Sequence, residues 1–138
     1  MTQLTTQSEV QRKGKLAKSA SSLLNIKTTA EKNDALLKIA DQLIQDQEKI
    51  IKENAKDLAM GQEKGIPTST LDRIMLNKDR IQAMADAIKL LVNLKDPVGE
   101  CIEHIEKDNG LIIEKKLVPI GVIGMIYEAR PNVTVDAV

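Results

Sequence analysis

The run "LVPIGVIGMIYEARPNVTVDAV" (117–138) joins an almost unbroken apolar stretch to an abrupt polar end. Residues 118–127 are apolar at odd and even positions alike, which is typical of a strand covered by helices on both faces of a parallel sheet. Such a strand needs a second parallel strand, reached through a crossover helix, and residues 133–138 fit the start of that helix. We therefore expect an incomplete α/β domain whose remainder lies outside the given residues. The alternative is a small, self-contained helical protein with a frayed tail.

Helical patterns fill most of the chain before this run. We expect a first helix over 8–24, opened by a serine capping box, and a second helix opened by a capping box at Thr28. Asn77 is the predicted N-cap of a later helix, while Gly65 and Pro67 mark a helix end. Three apolar faces recur at helical spacing: Leu36, Ala40, Leu43 and Ile44; Ile51, Ala55, Leu58 and Ala59; and Ile81, Met84, Ala85 and Ile88.

The spacing of apolar residues changes after position 99. The segments "ECIEHIEK" and "LIIEKKL" flank Asp108, Asn109 and Gly110. Asn-Gly is a strong signal for a short hairpin turn, because both residues accept a positive φ. We predict a β-hairpin within 100–117. Since an isolated hairpin is marginal in water, we expect this one to pair with something that the chain does not contain.

Composition excludes several classes of protein. The 138 residues carry no net formal charge and only one aromatic side chain, so neither the basic surface nor the stacking platforms of a nucleic-acid binder are present. A single cysteine forbids an internal disulfide and suggests a reducing compartment. The sequence shows no signal-peptide core and no apolar run of spanning length. We therefore predict a cytoplasmic protein with neither nucleic-acid nor membrane partners.

The polar end of the apolar run allows two interpretations. Ligands bind at the carboxyl ends of strands in open α/β sheets, and "YEARPN" is such an end. Arg130 offers a planar fork for a carboxylate or phosphate, and Asn132 can cap a helix whose first N–H groups would favour an anion. In the second interpretation Asn132 only caps, Pro131 only shapes the turn, and Arg130 pairs with Glu128 or with water.

Other candidate chemistry is weak on sequence grounds. Cys101 is the only thiol, and His104, the only imidazole, is three residues away. Positions i and i+3 of a strand point to opposite faces, so we expect His104 not to serve as a base for Cys101. One Cys and one His are also too few for a zinc site, and we predict no metal. The dipeptides Asp72-Arg73 and Asp79-Arg80 are assigned no chemistry.

Three stretches, taken in order, carry a family resemblance. They are "ENAKDLAMGQEKGI" (53–66), "LDRIMLNKDRIQAMADAI" (71–88) and "NGLIIEKKLVPIGVIGMIYEARPNVT" (109–134). The chain resembles the gamma-glutamyl phosphate reductase (glutamate-5-semialdehyde dehydrogenase) family of the aldehyde dehydrogenase superfamily. The "EARPN" motif is specific to this family, since other aldehyde dehydrogenases carry a related strand without it.

The resemblance implies a reaction and a cofactor. The family reduces L-glutamyl 5-phosphate with NADPH to glutamate 5-semialdehyde and releases phosphate, the second step of proline biosynthesis from glutamate. A cysteine thiolate forms a thioester that hydride then reduces. Cys101 does not match the motif of that cysteine, so the resemblance implies no catalytic residue in this chain and an inactive fragment.

The resemblance also implies where residues belong. Residues 1–99 would be the helical N-terminal part of a Rossmann-like cofactor-binding domain, 100–117 the hairpin of an oligomerisation extension, and 118–138 the first parallel strand and the start of the next helix. Cofactor contacts fall on four consecutive residues, Ile126, Tyr127, Glu128 and Ala129. Substrate contacts fall on Arg130 and Asn132. The partners would be the small-molecule substrate, the remainder of the same polypeptide, and further copies in a homo-oligomer.

Two other functions remain open at the level of sequence. One is a non-catalytic helical module that binds a partner through its aliphatic stripes. The other is a different acyl-group reductase of the same superfamily. A reading frame that continues into a cysteine-bearing domain would favour an enzyme over the module.

Overall fold

The computed structural model describes residues 2–137, with side chains from residue 9 onward. The elements in chain order are α1 (Thr2–Leu24), α2 (Thr29–Gln45), α3 (Gln47–Glu63), α4 (Thr68–Ile74), α5 (Lys78–Val92), β1 (Cys101–Glu106), β2 (Ile112–Lys116) and α6 (Val133–Asp136). They divide into a hairpin unit, Met1–Thr29 with Lys95–Gly124, and a helical unit, Ala30–Leu94 with Met125–Val138. None of the described helices is long and apolar enough to cross a bilayer.

The core of the helical unit lies between α2 and α5. Its buried apolar residues are Ala40, Ile81, Met84, Ala85 and Ile88. Leu36, Leu43 and Ile44 of α2 and Val135 of α6 pack against this cluster while keeping some exposure. The predicted apolar faces of α2 and α5 are therefore confirmed, because their i, i+3, i+4 spacing places these side chains on one side of each helix.

Helix ends follow the local sequence signals. The Asn77 Oδ1 accepts the Arg80 amide at 2.8 Å, which confirms the predicted N-cap of α5. At the end of α3, Gly65 takes φ +69°, and the Ile66 amide reaches the Gly61 carbonyl at 3.0 Å. This left-handed glycine turn satisfies the last carbonyls of the helix, as predicted. The first helix begins at Thr2, earlier than predicted; the Ser8 side chain lies outside the described residues.

The buried face of α3 matches the predicted one only in part, since Ile51 and Leu58 are half-buried. Asn54 and Gly61 are its buried residues, whereas Ala55 and Ala59 are exposed. A Cβ built on Gly61 would lie 2.7 Å from Leu71 Cδ2, so α3 and α4 approach each other at this glycine. Burial on α3 is decided by this close approach and by an internal polar contact of Asn54, and neither feature belongs to an apolar stripe.

The predicted β-hairpin is confirmed. Strands β1 and β2 are antiparallel. Lys107 donates to the Leu111 carbonyl at 2.9 Å, and Gly110 donates to the Lys107 carbonyl at 2.8 Å. Gly110 alone in this loop has a positive φ, of +83°. The connection is therefore a three-residue loop, Asp108 to Gly110, in which Gly110 takes the left-handed conformation and Asn109 does not.

A register irregularity interrupts β1 near its start. Cys101 lies opposite Lys116, but Glu103 lies opposite Lys115, so two steps along β1 correspond to one step along β2. This is the pairing of a β-bulge, in which an extra residue, here Ile102, is left without its own partner. The bulge reverses the alternation of faces between Cys101 and the rest of the strand.

The predicted parallel strand over 118–127 is not formed within the described residues. These positions belong to no helix or paired strand, and β1 and β2 pair only with each other. Their side chains are exposed, with Ile120 at 89% and Ile126 at 101%. A strand needs hydrogen-bonded neighbours to satisfy its backbone, and no such neighbour exists here. The place of residues 118–127 in a larger sheet stays a prediction. The predicted boundaries of the cofactor-binding domain and of the oligomerisation extension also stay predictions. Helix α6 matches the predicted helix start after the turn.

Candidate substrate groove

The turn after the apolar run lines a groove in the helical unit. Arg130, Pro131 and Asn132 form one wall of a cavity of about 480 Å³, together with Asp136. The other wall comes from the end of α4, the following loop and α5: Asp72, Arg73, Met75, Leu76, Arg80, Ala83, Met84 and Ala87. A smaller cavity of about 310 Å³ lies on the other side of the same turn, against Asn54, Asp57 and Ile74. The structure thus brings Arg130 and Asn132 together in one groove.

Three guanidinium groups line this groove, and one of them, that of Arg80, already bonds to protein groups. Arg80 donates to the backbone carbonyl of Asp72 and to that of Met75 at 2.9 Å, and its Nη2 pairs with the Asp72 carboxylate at 3.0 Å. These bonds hold the end of α4 to the first turn of α5. Arg80 is therefore a bracing residue, and it pairs with Asp72 across the helix break. Neither of the charged dipeptides considered in the sequence forms this pair.

Arg130 and Arg73 differ from Arg80 in having open donors. Both side chains are exposed, and no described residue makes a hydrogen bond or an ion pair with either guanidinium. Glu128 in particular does not pair with Arg130, so a ligand and water are the two partners left open for that arginine. An unpaired planar fork at a groove wall can accept a carboxylate or phosphate in a bidentate arrangement.

The acidic groups in the groove are already engaged. Asp72 accepts from Arg80, and Asp136 Oδ2 accepts from Asn132 Nδ2 at 2.7 Å. Three arginines and two aspartates line the cavity, so its charge is positive overall. A groove of this kind attracts anions by long-range electrostatics as well as by contact.

Asn132 does not act as the predicted helix cap. Its backbone is helical, with φ −60° and ψ −30°, and its side chain makes no capping bond. The first amides of α6 are satisfied instead by the turn, since Val133 donates to the Arg130 carbonyl and Thr134 to the Pro131 carbonyl. A helix start whose amides are already bonded offers no anion site, so any anion contact here depends on the arginine side chains.

The four residues expected to contact the cofactor are contiguous; three of them are exposed and Ala129 is half-buried. Ile126 is fully exposed and Tyr127 is 45% exposed, while the Tyr127 hydroxyl shares a hydrogen bond with Thr134 Oγ1. Ala129 takes φ +29°, a conformation uncommon for a residue with a Cβ. The described residues contain no glycine-rich phosphate turn.

The loop that forms the far wall is fixed by one buried side chain. Asn54 is 8% exposed. Its Nδ2 donates to the Ile74 carbonyl at 2.8 Å, and its Oδ1 accepts the Leu76 amide at 2.7 Å. An asparagine amide can imitate a peptide group in this way. The sequence gives little sign of this role, because an asparagine within a helix resembles any solvent-facing polar residue.

The hairpin unit corrects the expectation for Cys101 and His104. Because of the bulge, Cys101 lies opposite Lys116 and His104 opposite Glu114, and these two partners share a face of β2. Cys101, His104 and Glu114 therefore have donor atoms within 4.8 Å of one another. The prediction that Cys101 and His104 face opposite sides is wrong.

No protein-family model matches this chain. It is 54% identical over 130 residues to the gamma-glutamyl phosphate reductase of Bacillus subtilis (strain 168) and 55% identical over 129 residues to that of Bacillus anthracis. Each match covers 94% of this chain. The chain spans about 31% of the length of these curated relatives.

Two solved structures share the fold. The gamma-glutamyl phosphate reductase of Thermotoga maritima superposes with a TM-score of 0.91 at 43% identity, over 94% of this chain and 31% of its own. That of Saccharomyces cerevisiae gives 0.84 at 35% identity, over 89% and 31%. The chain thus has the fold of a helix-rich segment of an α/β reductase. This chain is therefore homologous to part of gamma-glutamyl phosphate reductase.

Proposed function

We propose that this chain is part of an enzyme that reduces L-glutamyl 5-phosphate to glutamate 5-semialdehyde with NADPH, the second step of proline biosynthesis from glutamate. The observation that carries the proposal is 54% identity over 94% of the chain to a gamma-glutamyl phosphate reductase. In this reaction the bond from the acyl carbon to the phosphate oxygen breaks and inorganic phosphate leaves. Hydride from NADPH forms the new C–H bond, and one proton is taken up.

We assign the substrate's anionic groups to the positive groove of the helical unit. The Arg130 guanidinium has no partner among the described residues, and both Arg130 and Arg73 line the groove. The substrate carries an acyl phosphate and an α-carboxylate, and each suits a planar fork. Asn132 holds Asp136 through its side-chain nitrogen, which donates to the Asp136 carboxylate. The side-chain oxygen of Asn132 therefore remains available as a second polar contact for the substrate.

The cofactor is assigned to the turn that precedes Arg130. A nicotinamide cofactor supplies the hydride, and Ile126 and Tyr127 offer the exposed apolar surface that its ring requires. Glu128 and Ala129 continue the same turn toward the groove. We assign NADPH as the form used, the cytoplasm as the compartment and a homo-oligomer as the assembly. No catalytic residue is assigned to this chain.

The test uses the full-length polypeptide that carries this segment, which the proposal requires to be as long as its relatives. Phosphate-dependent formation of NADPH from glutamate 5-semialdehyde measures the reaction in reverse. Arg130→Ala should raise the KM for phosphate or for the acyl phosphate by roughly 10- to 100-fold, since a hydrogen bond to a charged group contributes about 1.5–3 kcal/mol. The KM for the nucleotide should stay unchanged.

Two variants control the measurement. Arg130→Lys keeps the charge without the fork and should recover only part of the loss. Arg12→Ala removes an exposed arginine of α1 and should behave as wild type. Unchanged kinetics in Arg130→Ala would remove Arg130 from the site. Reduction of a different acyl group, without use of glutamyl phosphate, would favour the alternative acyl reductase.

A further inference from the structure

We propose that the bulged face of the hairpin is a binding site for a divalent transition metal of borderline softness, with Zn²⁺ as the reference ion. The ligands are the Cys101 thiolate, the His104 imidazole and the Glu114 carboxylate. Their donor atoms already lie within 4.8 Å of one another. The site lies in the hairpin unit and is independent of the groove assigned to the substrate.

The β-bulge creates this site. In a regular strand, residues three apart point to opposite faces, and Cys101 would be turned away from His104. The extra residue in β1 restores Cys101 to the face of His104, opposite Lys116 and Glu114. Bulges often re-aim a side chain at a functional position, and here the bulge changes the composition of one face from two potential ligands to three.

The ligand types match one class of ion. Sulfur, imidazole nitrogen and carboxylate oxygen are the three donors that zinc accepts, and three protein ligands with one open position are typical of an accessible zinc site. Hard ions such as Mg²⁺ and Ca²⁺ prefer oxygen donors only. Thiolate together with imidazole selects Zn²⁺, Co²⁺ or Cu²⁺ over these ions.

The contacts that the three ligands already make show what competes with the metal. Lys116 Nζ lies 2.8 Å from Glu114 Oε2, and His104 Nδ1 lies 3.6 Å from Glu114 Oε1. Cys101 Sγ donates to the backbone carbonyl of Glu103, two residues along the strand, at 3.2 Å. Each ligand is therefore held by a weak, exposed contact that the metal would replace. Metal binding releases the thiol proton to solvent.

The experiment is a Co²⁺ titration of the reduced 138-residue protein, with back-titration by Zn²⁺. Binding should produce a thiolate-to-cobalt charge-transfer band with the intense visible bands of a tetrahedral site, and Zn²⁺ should abolish both. Cys101→Ser should remove the charge-transfer band. His104→Ala and Glu114→Gln should each weaken binding by roughly tenfold or more, since losing even an outer-shell partner costs about 10- to 100-fold.

Two further variants complete the design. Glu103→Gln removes a carboxylate from the same strand, but on the opposite face, beside Lys115, and should leave affinity unchanged. Lys116→Gln removes the competing ammonium without touching a ligand and should tighten binding. The proposal fails if no charge-transfer band forms, if His104→Ala and Glu114→Gln bind as wild type (a thiol acting alone), or if Lys116→Gln weakens binding.

Discussion

The Leu76 amide donates to Asn54 Oδ1 at 2.7 Å, so a helix side chain holds the loop that leads into α5. The Asn54 Nδ2 group in turn donates to the Ile74 carbonyl at 2.8 Å. One buried residue thereby satisfies two backbone groups of the segment between α4 and α5. Because Leu76 lines the groove, the shape of the far wall depends on a contact that lies outside it.

Asn54→Leu should destabilise the helical unit. The leucine matches the asparagine in size but leaves a carbonyl and an amide without partners, at about 1–3 kcal/mol for each group. We expect the free energy of unfolding to fall by about 2–4 kcal/mol in urea denaturation followed by circular dichroism. The matched control is Asn93→Ala, which removes an exposed asparagine bonded to the Lys89 carbonyl. A loss in Asn54→Leu no larger than that control would contradict the bracing role.

Gly61→Ala and Gly14→Ala should have unequal effects. A Cβ at Gly61 would meet Leu71 Cδ2 at 2.7 Å, whereas one at Gly14 would meet nothing within 4 Å. The end of the Leu71 side chain must move to admit the new Cβ, which should offset the helix-propensity gain at Gly61, while Gly14→Ala should stabilise α1 by about 0.5–1 kcal/mol. Hydrogen exchange of each helix's amides measures the two effects separately. Equal stabilisation of both helices would show that α3 and α4 do not meet at Gly61.

The Glu114–Lys116 pair should make the hairpin sensitive to pH. Lys116, through its hydrogen bond and charge, lowers the pKa of Glu114 below its ordinary value of 4.5, and His104 contributes in the same direction. Glu114 in turn raises the pKa of Lys116 above 10.5. A lowered carboxyl pKa stabilises the folded form above pH 4.5 and ceases to do so as pH falls through the folded value. A raised lysine pKa stabilises below pH 10.5 and is lost as pH rises through its folded value.

Lys116→Gln tests that pair directly. The pKa of Glu114 should rise toward 4.5, and carboxyl chemical shifts followed by NMR against pH would measure it. Lys115→Gln is the matched control, because Lys115 lies on the other face, opposite Glu103. If Glu114 titrates at the same pH in wild type and Lys116→Gln, the pair does not exist in solution.

The sequence predicted the helices well because their signals are local. Asn77 caps α5, and Gly65 ends α3, through contacts among residues a few positions apart. The apolar stripe of α5 likewise needs only helical spacing to predict its buried face. By contrast, the buried face of α3 depends on Leu71 and on the α4–α5 loop, which local periodicity does not report.

The candidate site was only partly predictable. Arg130 and Asn132 were predicted from their place after an apolar run, and the structure brings both to one groove. The Asp72–Arg80 brace joins residues eight apart across a helix break, so neither helical spacing nor charge patterning reveals it. The bulge at the start of β1 arises from strand pairing, and single-strand alternation therefore gave the wrong face for Cys101.

The backbone conformation of Ala129 restricts which residues this position of the turn can accept. With φ at +29°, the position tolerates alanine and accommodates glycine or asparagine readily, but β-branched side chains would clash with their own backbone. Few substitutions at this position are therefore compatible with the observed backbone. The direction of the Arg130 side chain therefore depends on the backbone conformation of Ala129 as well as on the arginine itself.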